Sequence, residues 1–425
     1  MTQQRPAKSG PGRAGGKKIA HASGKTTSAS GKKTNAGGKG KRARAGRKKI
    51  EAGANFRFYD NRQKYLLFVM TCGEKWAIAE RVGLELEHLR PRPPALRLFD
   101  AGMGDGTVLS QVLRDLHYRF PNVPFLIVGK EISLEDVRLS LEKLPDRFHE
   151  HPQMVVVMTN LYYSEAPWLR PAKKEAQAAL DWREVALSGN SAHEFHEQIK
   201  QLQPYLADRW QVRSSPKTGN PLYVKPTVLV LHRADHRFVL DDVIPKPRED
   251  PGGYDLVVAS QPYRARMSPE FKVEKVLAPL ARSLAPGGRM LTIHSYGADP
   301  GLELIQRIWP GEEPFRSGRR ELLRVLKAAI GKDQPDLVFN SYSDKRSLFD
   351  YHMHTLPSEV GESIGTSTLM AAWNAATYVA QIEDQRFAEA VSQGNYLEAT
   401  AEVLREHDGL WFTNESFLVT RKQRR

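Results

Sequence analysis

The chain has a single cysteine, Cys72, among 425 residues. A disulfide framework within one chain is therefore excluded, and a reducing compartment is the simple expectation. It also lacks any run of about 18 apolar residues, so no membrane-spanning helix is expected. The basic N-terminus has no apolar stretch behind it, which argues against a secretory signal. These absences together predict a cytoplasmic protein.

The first fifty residues contain no Asp or Glu, and no Leu, Val, Phe, Tyr or Trp, yet they hold 15 Lys and Arg. The net charge of +14 is therefore not a property of the whole chain: residues 51–425 carry 48 basic against 49 acidic side chains. A segment such as SGKKTNAGGKGKRARAGRKK cannot bury enough apolar area to offset the entropy of ordering. Residues 1–53 read as a disordered tail, either a solubilising one or one that attracts nucleic acid non-specifically by counterion release.

Folding signals begin near Phe56. Residues 59–87 carry apolar side chains at helical spacing and predict one or two helices, a helical extension over 54–95 closed by the stiff LRPRPPA. Strands and helices then alternate. Apolar strands are predicted at 96–99, 123–130, 154–159, 227–234, 254–263 and 289–296, with closing strands at 336–342 and 416–421. Being apolar throughout rather than alternating, they suit a parallel sheet covered on both faces. Residues 165–225 break the pattern and read as an insertion after the third strand, with a helix at 193–210. Within the C-terminal part, 301–425, a long helix is expected near 367–391.

One stretch carries the chemistry. In LRLFDAGMGDGTVL, Asp100 ends a strand and Gly102, Gly104 and Gly106 follow before a helix. A glycine turn between strand and helix lets the backbone approach a nucleotide, and an acid ending the next strand binds ribose hydroxyls. Glu131, in VGKEIS, falls 25 residues after Gly106, room for one helix and one strand. Dinucleotide sites favour GxGxxG, which brings a pyrophosphate to the helix. This chain has GxGxG after an acid, which suits a nucleoside bearing a cationic amino acid.

With these residues, and with LAPGG at 284–288, the sequence resembles the class I S-adenosylmethionine-dependent methyltransferases. The resemblance covers 96–296 well, and 336–342 and 416–421 loosely. It implies an α/β, Rossmann-like, doubly wound and mostly parallel seven-stranded sheet over 96–425. It implies S-adenosyl-L-methionine as cofactor, with the three glycines under its methionine and ribose, Glu131 on the ribose hydroxyls, and Asp100 orienting the loop and helping to hold the ammonium. For the adenine amino group it implies a polar residue after the third strand: Asn160, or Asp235 if 227–231 is the true third strand. A helix before the glycine turn often caps such sites, which brings in Tyr59, Arg62 and Lys75.

The turn Ser260-Gln261-Pro262-Tyr263 follows the fourth strand of that pattern. Related enzymes acting on planar amines carry a polar residue, two prolines and an aromatic residue there. Ser260, Pro262 and Tyr263 match, and Gln261 replaces the first proline. The candidate catalytic residues are Ser260 and Tyr263, with His294 and Tyr296 opposite Tyr263. The plainer reading is a turn that only shapes the pocket, with His294 structural. No metal site is expected, because His193 with His196 and His352 with His354 lack ligand partners.

The reading is thus a methyltransferase with an undetermined acceptor, a small molecule or a planar amine. One alternative is a nucleic-acid base methyltransferase that uses the basic tail. Another is a catalytically silent, nucleic-acid-binding protein of the same fold.

Overall fold

A computed structural model describes residues 62–216, 220–361 and 363–423. These fall within one compact unit, 54–425. The expected basic tail and Tyr59 lie outside the described residues.

Among the described residues twelve strands form. They are β1 (Leu96–Asp100), β2 (Phe125–Lys130), β3 (Met154–Thr159), β4 (Asp181–Leu187), β5 (Val212–Ser214), β6 (Pro221–Tyr223), β7 (Thr227–Arg233), β8 (Tyr254–Ser260), β9 (Leu284–Ser295), β10 (Leu337–Asn340), β11 (Leu348–His352) and β12 (Trp411–Arg421). Ten make one sheet in the order β10-β12-β9-β8-β1-β2-β3-β7-β4, with β11 beside β12, and β5 and β6 pair as a separate hairpin. Strands β3, β2, β1, β8 and β9 run parallel, and β12 lies antiparallel to both β9 and β10. The seven strands from β10 to β3, and β7, are those the sequence leads one to expect. The other two come from regions without a strong apolar run: β4 buries only Leu187, and β11 only Tyr351.

Each central strand buries both faces. Leu98, Ile127 and Val156 point into one apolar cluster, and Phe99, Val128 and Val157 into the other. The helix Thr107–Arg119 packs in the first cluster through Val108, Val112 and Leu116. The segments Val273–Leu277 and Ala278–Arg282, after β8, pack in the second through Val276, Leu280 and their neighbours. The connections after β1 and β8 therefore leave toward opposite faces. That divergence opens a crevice at the carboxyl ends of these neighbouring strands, where open α/β sheets bind ligands.

A third apolar cluster lies to one side. It joins the N-terminal helix Arg62–Thr71 to the C-terminal helix Thr366–Val379. The Phe68 and Tyr378 rings stand 4.9 Å apart, and Asn374 Nδ2 donates to Lys64 O at 3.0 Å. The extension thus packs against the C-terminal helices. The long helix expected near 367–391 is two, Thr366–Val379 and Asp384–Gln393, parted where Gln381 takes a positive φ of 53°. The helix expected at 193–210 is also two, Ala192–Lys200 and Gln203–Arg209, with Pro204 opening the second.

Two sequence expectations around the insertion change. β7 is antiparallel to β3, so it is not a third strand of the parallel set. The 165–225 segment does not merely interrupt the sheet. It supplies the edge strand β4 and the hairpin β5–β6, and Trp210, buried to 1% exposure, donates its indole N–H to Glu131 O at 2.9 Å.

Candidate functional site

A cavity of about 990 Å³ opens at the crevice. Its near half is built on the turn after β1. Asp100 is buried at the strand end, and its Oδ1 accepts from Gly102 N at 3.3 Å. Burial pushes the Asp100 carboxyl up to about 7, against the pull of that N–H. Gly104 and Gly106 have positive φ of 55° and 75°. Gly104 faces the cavity, and a Cβ there would point at Tyr65 Oη, 3.2 Å away, with Lys75 Nζ at 3.9 Å. Gly106 does not line the cavity. It starts the helix Thr107–Arg119, and a Cβ there would meet Ser140 Cα at 2.9 Å.

Glu131 follows β2, and its carboxylate is fixed on three sides. Oε2 accepts from Gly104 N at 3.0 Å, and Oε1 accepts from Ile132 N at 2.7 Å and Ser133 N at 2.9 Å. Beside it stand Asp136 and Lys130. Burial, then the Glu131 charge, push Asp136 up to about 7. Burial pulls Lys130 down, opposed by Glu131, and its Nζ lies 4.6 Å from the Tyr163 ring centroid. Lys75 comes from the helix Glu74–Leu86. Burial lowers its pKa, but Glu74 and Asp105 outweigh that and the net shift is upward, so it stays cationic.

The far half is built on the turn after β8. Ser260, Gln261, Pro262 and Tyr263 all line the cavity. Gln261 has a positive φ of 46°, and its N–H donates to Ile293 O at 2.8 Å. Its side-chain Nε2 donates to Ser295 Oγ at 3.1 Å, and to Glu74 Oε1 and Asn414 Oδ1, both at 3.3 Å. A proline can adopt neither that φ nor that hydrogen bond. The departure from the two-proline pattern therefore belongs to a differently shaped turn.

Four further sequence candidates stand outside the cavity. Asn160 does not line the cavity. Its Nδ2 donates to Lys225 O at 2.8 Å, its Oδ1 accepts from Thr227 N at 2.9 Å, and it pins the insertion to the end of β3. Asp235 follows β7, and because β7 is antiparallel to β3 that end lies at the opposite sheet edge. There it pairs with Arg233 and with His236. His294 does not line the large cavity either; it sits behind the Tyr263 ring, edge-on at 5.7 Å, with Nε2 2.9 Å from Glu415 Oε1. Glu415 also holds Arg319 Nη1 at 2.8 Å, so His294 belongs to a buried charge cluster. The Tyr296 side chain is 39% exposed and lies outside the cavity lining.

The residues the sequence reading left out are Tyr65, Lys130, Asp136, Tyr163 and Tyr378. Lys130 and Asp136 flank Glu131 in GKEISLED and were findable there. Tyr65 and Tyr378 meet only because distant helices pair.

Among the described residues one cluster has metal-ligand types, Glu303 with Glu406 and His407. Arg307 already pairs with both carboxylates, so the charge a metal would neutralise is taken. Cys72 is buried and its thiol is pushed up to about 12 by burial, which leaves it unreactive.

No family model and no curated protein matches the chain. Among solved structures it is similar to a geranyl diphosphate methyltransferase in complex with GPP and sinefungin. The identity is 14%, over 81% of this chain and 76% of that one, at a TM-score of 0.30. It is also similar to phosphoethanolamine N-methyltransferase 2 of Haemonchus contortus with S-adenosyl-L-methionine. There the identity is 11%, over 88% of this chain and 61% of that one, at a TM-score of 0.28. No helix of the described residues is long and apolar enough to cross a membrane. By the strand order β3-β2-β1-β8-β9-β12-β10, with β12 reversed and the glycine turn after β1, the chain has the Rossmann-like fold of the class I S-adenosylmethionine-dependent methyltransferases.

Proposed function

We propose that the protein is an S-adenosylmethionine-dependent methyltransferase acting on a small organic acceptor. The observation that carries this reading is one continuous cavity. It is lined by Asp100, Gly102, Gly104 and Glu131 at one part and by residues 260–263 at another. At about 990 Å³ it stands at the upper end of the ~300–1,000 Å³ of a pocket for a single drug-sized ligand, room for two partners.

The donor set fits the cofactor. Glu131 offers carboxylate oxygens to a pair of hydroxyls. Asp100 and Lys75 offer opposite charges, one for an ammonium and one for a carboxylate. The Tyr65, Tyr163 and Tyr378 rings provide faces that tolerate a cation. Bound there, S-adenosylmethionine would supply a methyl group on a sulfonium, already activated for transfer to an acceptor's lone pair.

The protein's share is alignment. Displacement at an activated sulfonium needs an in-line nucleophile more than it needs acid or base help. Ser260 and Tyr263 border the acceptor space, and Gln261 holds their turn through Glu74, Ser295 and Asn414. His294 acts on Tyr263 from behind, as a positioning residue.

Two measurements test this. Calorimetry with S-adenosylhomocysteine should show one site per chain. Labelled methyl from S-adenosylmethionine should enter the small-molecule fraction of a cell extract. No cofactor binding, or label confined to nucleic acid, would overturn the reading.

A further inference from the structure

The break between the two C-terminal helices carries a residue that its backbone does not favour. The helix Thr366–Val379 ends in a Schellman motif: Gln381 N–H donates to Tyr378 O at 3.0 Å, and Ile382 N–H to Thr377 O at 2.9 Å. Gln381 holds the left-handed position of that motif, with φ at 53°. Glycine fills this position without steric cost, and asparagine is the usual second choice. A glutamine is strained there, so its side chain must offset the strain by what it touches.

That side chain has a fixed orientation. Its Oε1 accepts from Ala265 N–H at 3.0 Å, two residues past Tyr263 in the turn after β8. A backbone N–H can only donate, so the amide cannot be turned round: Oε1 faces the turn and Nε2 points away from it. Gln381 is 7% exposed and lines the large cavity. Among the described residues Nε2 has no partner, yet it is not sealed in and keeps accessible surface. The neighbouring backbone is held as well, since Arg266 Nη2 donates to Ala380 O at 3.1 Å. The cavity wall thus presents one nearly buried amide donor on a fixed frame.

The wall beside it is apolar. Val379 and, past the turn, Met267, Phe271 and Val276 line the same cavity. A ligand lying there either offers Nε2 an oxygen lone pair or leaves a desolvated N–H unmatched. Resting on the methyltransferase reading, we infer that Gln381 is a specificity-determining residue whose Nε2 donates to an oxygen on a largely apolar acceptor, as in a ketone, amide or carboxylate. The two halves of the cavity meet at Ser260, whose O would lie 3.6 Å from a Cβ on Gly102. Gln381 is bound to the turn five residues farther on, so it selects the acceptor and takes no part in the transfer.

The test uses the full chain saturated with S-adenosylhomocysteine. Acetophenone and its methylidene isostere α-methylstyrene are titrated by ligand-observed NMR; they differ only in C=O against C=CH2. The ketone should bind about tenfold tighter, the cost of leaving one amide donor unmatched. Gln381→Glu keeps the shape and the acceptor for Ala265 N–H, but turns an oxygen to the cavity. It should melt like the parent, hold S-adenosylhomocysteine within about twofold, and lose the preference for the ketone. Gln381→Asn, which the left-handed position tolerates but which is too short to reach, should lose it too. A residue that only holds the turn would leave the Glu variant as selective as the parent, and that result would overturn the inference. So would equal binding of ketone and alkene to the parent, or no binding of the ketone. Failure of the cofactor reading would show separately, as a parent chain with no S-adenosylhomocysteine signal, and the two probes are then compared on the free protein.

Discussion

Glu131 Oε2 accepts a hydrogen bond from the Gly104 backbone at 3.0 Å, so the acid after β2 and the turn after β1 are locked together before any ligand arrives. The same carboxylate holds the N–H groups of Ile132 and Ser133. Replacing Glu131 by Ala removes the hydroxyl acceptor and loosens the turn. Calorimetry should show S-adenosylhomocysteine affinity falling by about a hundredfold, the worth of two charged hydrogen bonds. Glu131→Gln keeps the shape and should fall between. Unchanged affinity in Glu131→Ala would sink the ribose assignment.

The two positive-φ glycines of the turn should separate stability from binding. Gly106→Ala places a Cβ at 2.9 Å from Ser140 Cα, a backbone atom that cannot swing away. It should destabilise the fold by about 1–3 kcal/mol in denaturant melts, through left-handed strain plus the clash. Gly104→Ala meets only the end of the Tyr65 side chain, at 3.2 Å, and intrudes on the cavity. Its melt should shift less, and its cofactor affinity should fall more.

Gln261 offers a test of the turn after β8. Gln261→Gly keeps the φ of 46° without strain and loses only the side-chain network, so the fold should persist with lowered turnover. Gln261→Pro forbids the φ and deletes the bond to Ile293 O, and should cost about 3 kcal/mol or more. A proline variant as stable as the parent would mean the turn is not as described.

Cofactor binding should depend on pH near neutrality. Burial raises Asp100 to about 7 and Asp136 to about 7. A raised carboxyl stabilises the fold while protonated; that contribution is complete below the unfolded value of 3.8 and is lost as pH rises through about 7. A ligand ammonium favours the ionised form, so binding should release protons and tighten from pH 6 to 8. Calorimetry in buffers of different ionisation enthalpy measures that release. Asp100→Asn should flatten the profile.

Acid should act on the far edge of the sheet. His117 and His151 stack at 4.9 Å, and His151 stacks on Phe125 at 4.2 Å. Burial pushes His117 down to about 4, with Glu150 opposing, and lowers His151 as well. A depressed imidazole contributes stability that is present above the unfolded value near 6.5 and lost as pH falls toward 4. Thermal melts should drop between pH 6.5 and 4.5, and His151→Phe should make that drop shallower.

Local sequence determined much of this protein. Apolar runs and helix-spaced faces placed β1, β2, β3, β8 and β9 with their helices, because burial on two faces writes itself into consecutive residues. The acid, the glycine spacing and Glu131 marked the crevice for the same reason: a tight turn needs its own residues. Tertiary structure decided the rest. Whether β7 ran parallel or antiparallel to β3 fixed where Asp235 went, and strand direction is a non-local choice. Asn160 was taken by Lys225 and Thr227, partners far along the chain. His294 fell behind Tyr263 because Glu415 and Arg319 drew it into their cluster. Gln381 meets Ala265 because a helix from the C-terminal part ends beside the turn after β8. No window of neighbouring residues contains that meeting.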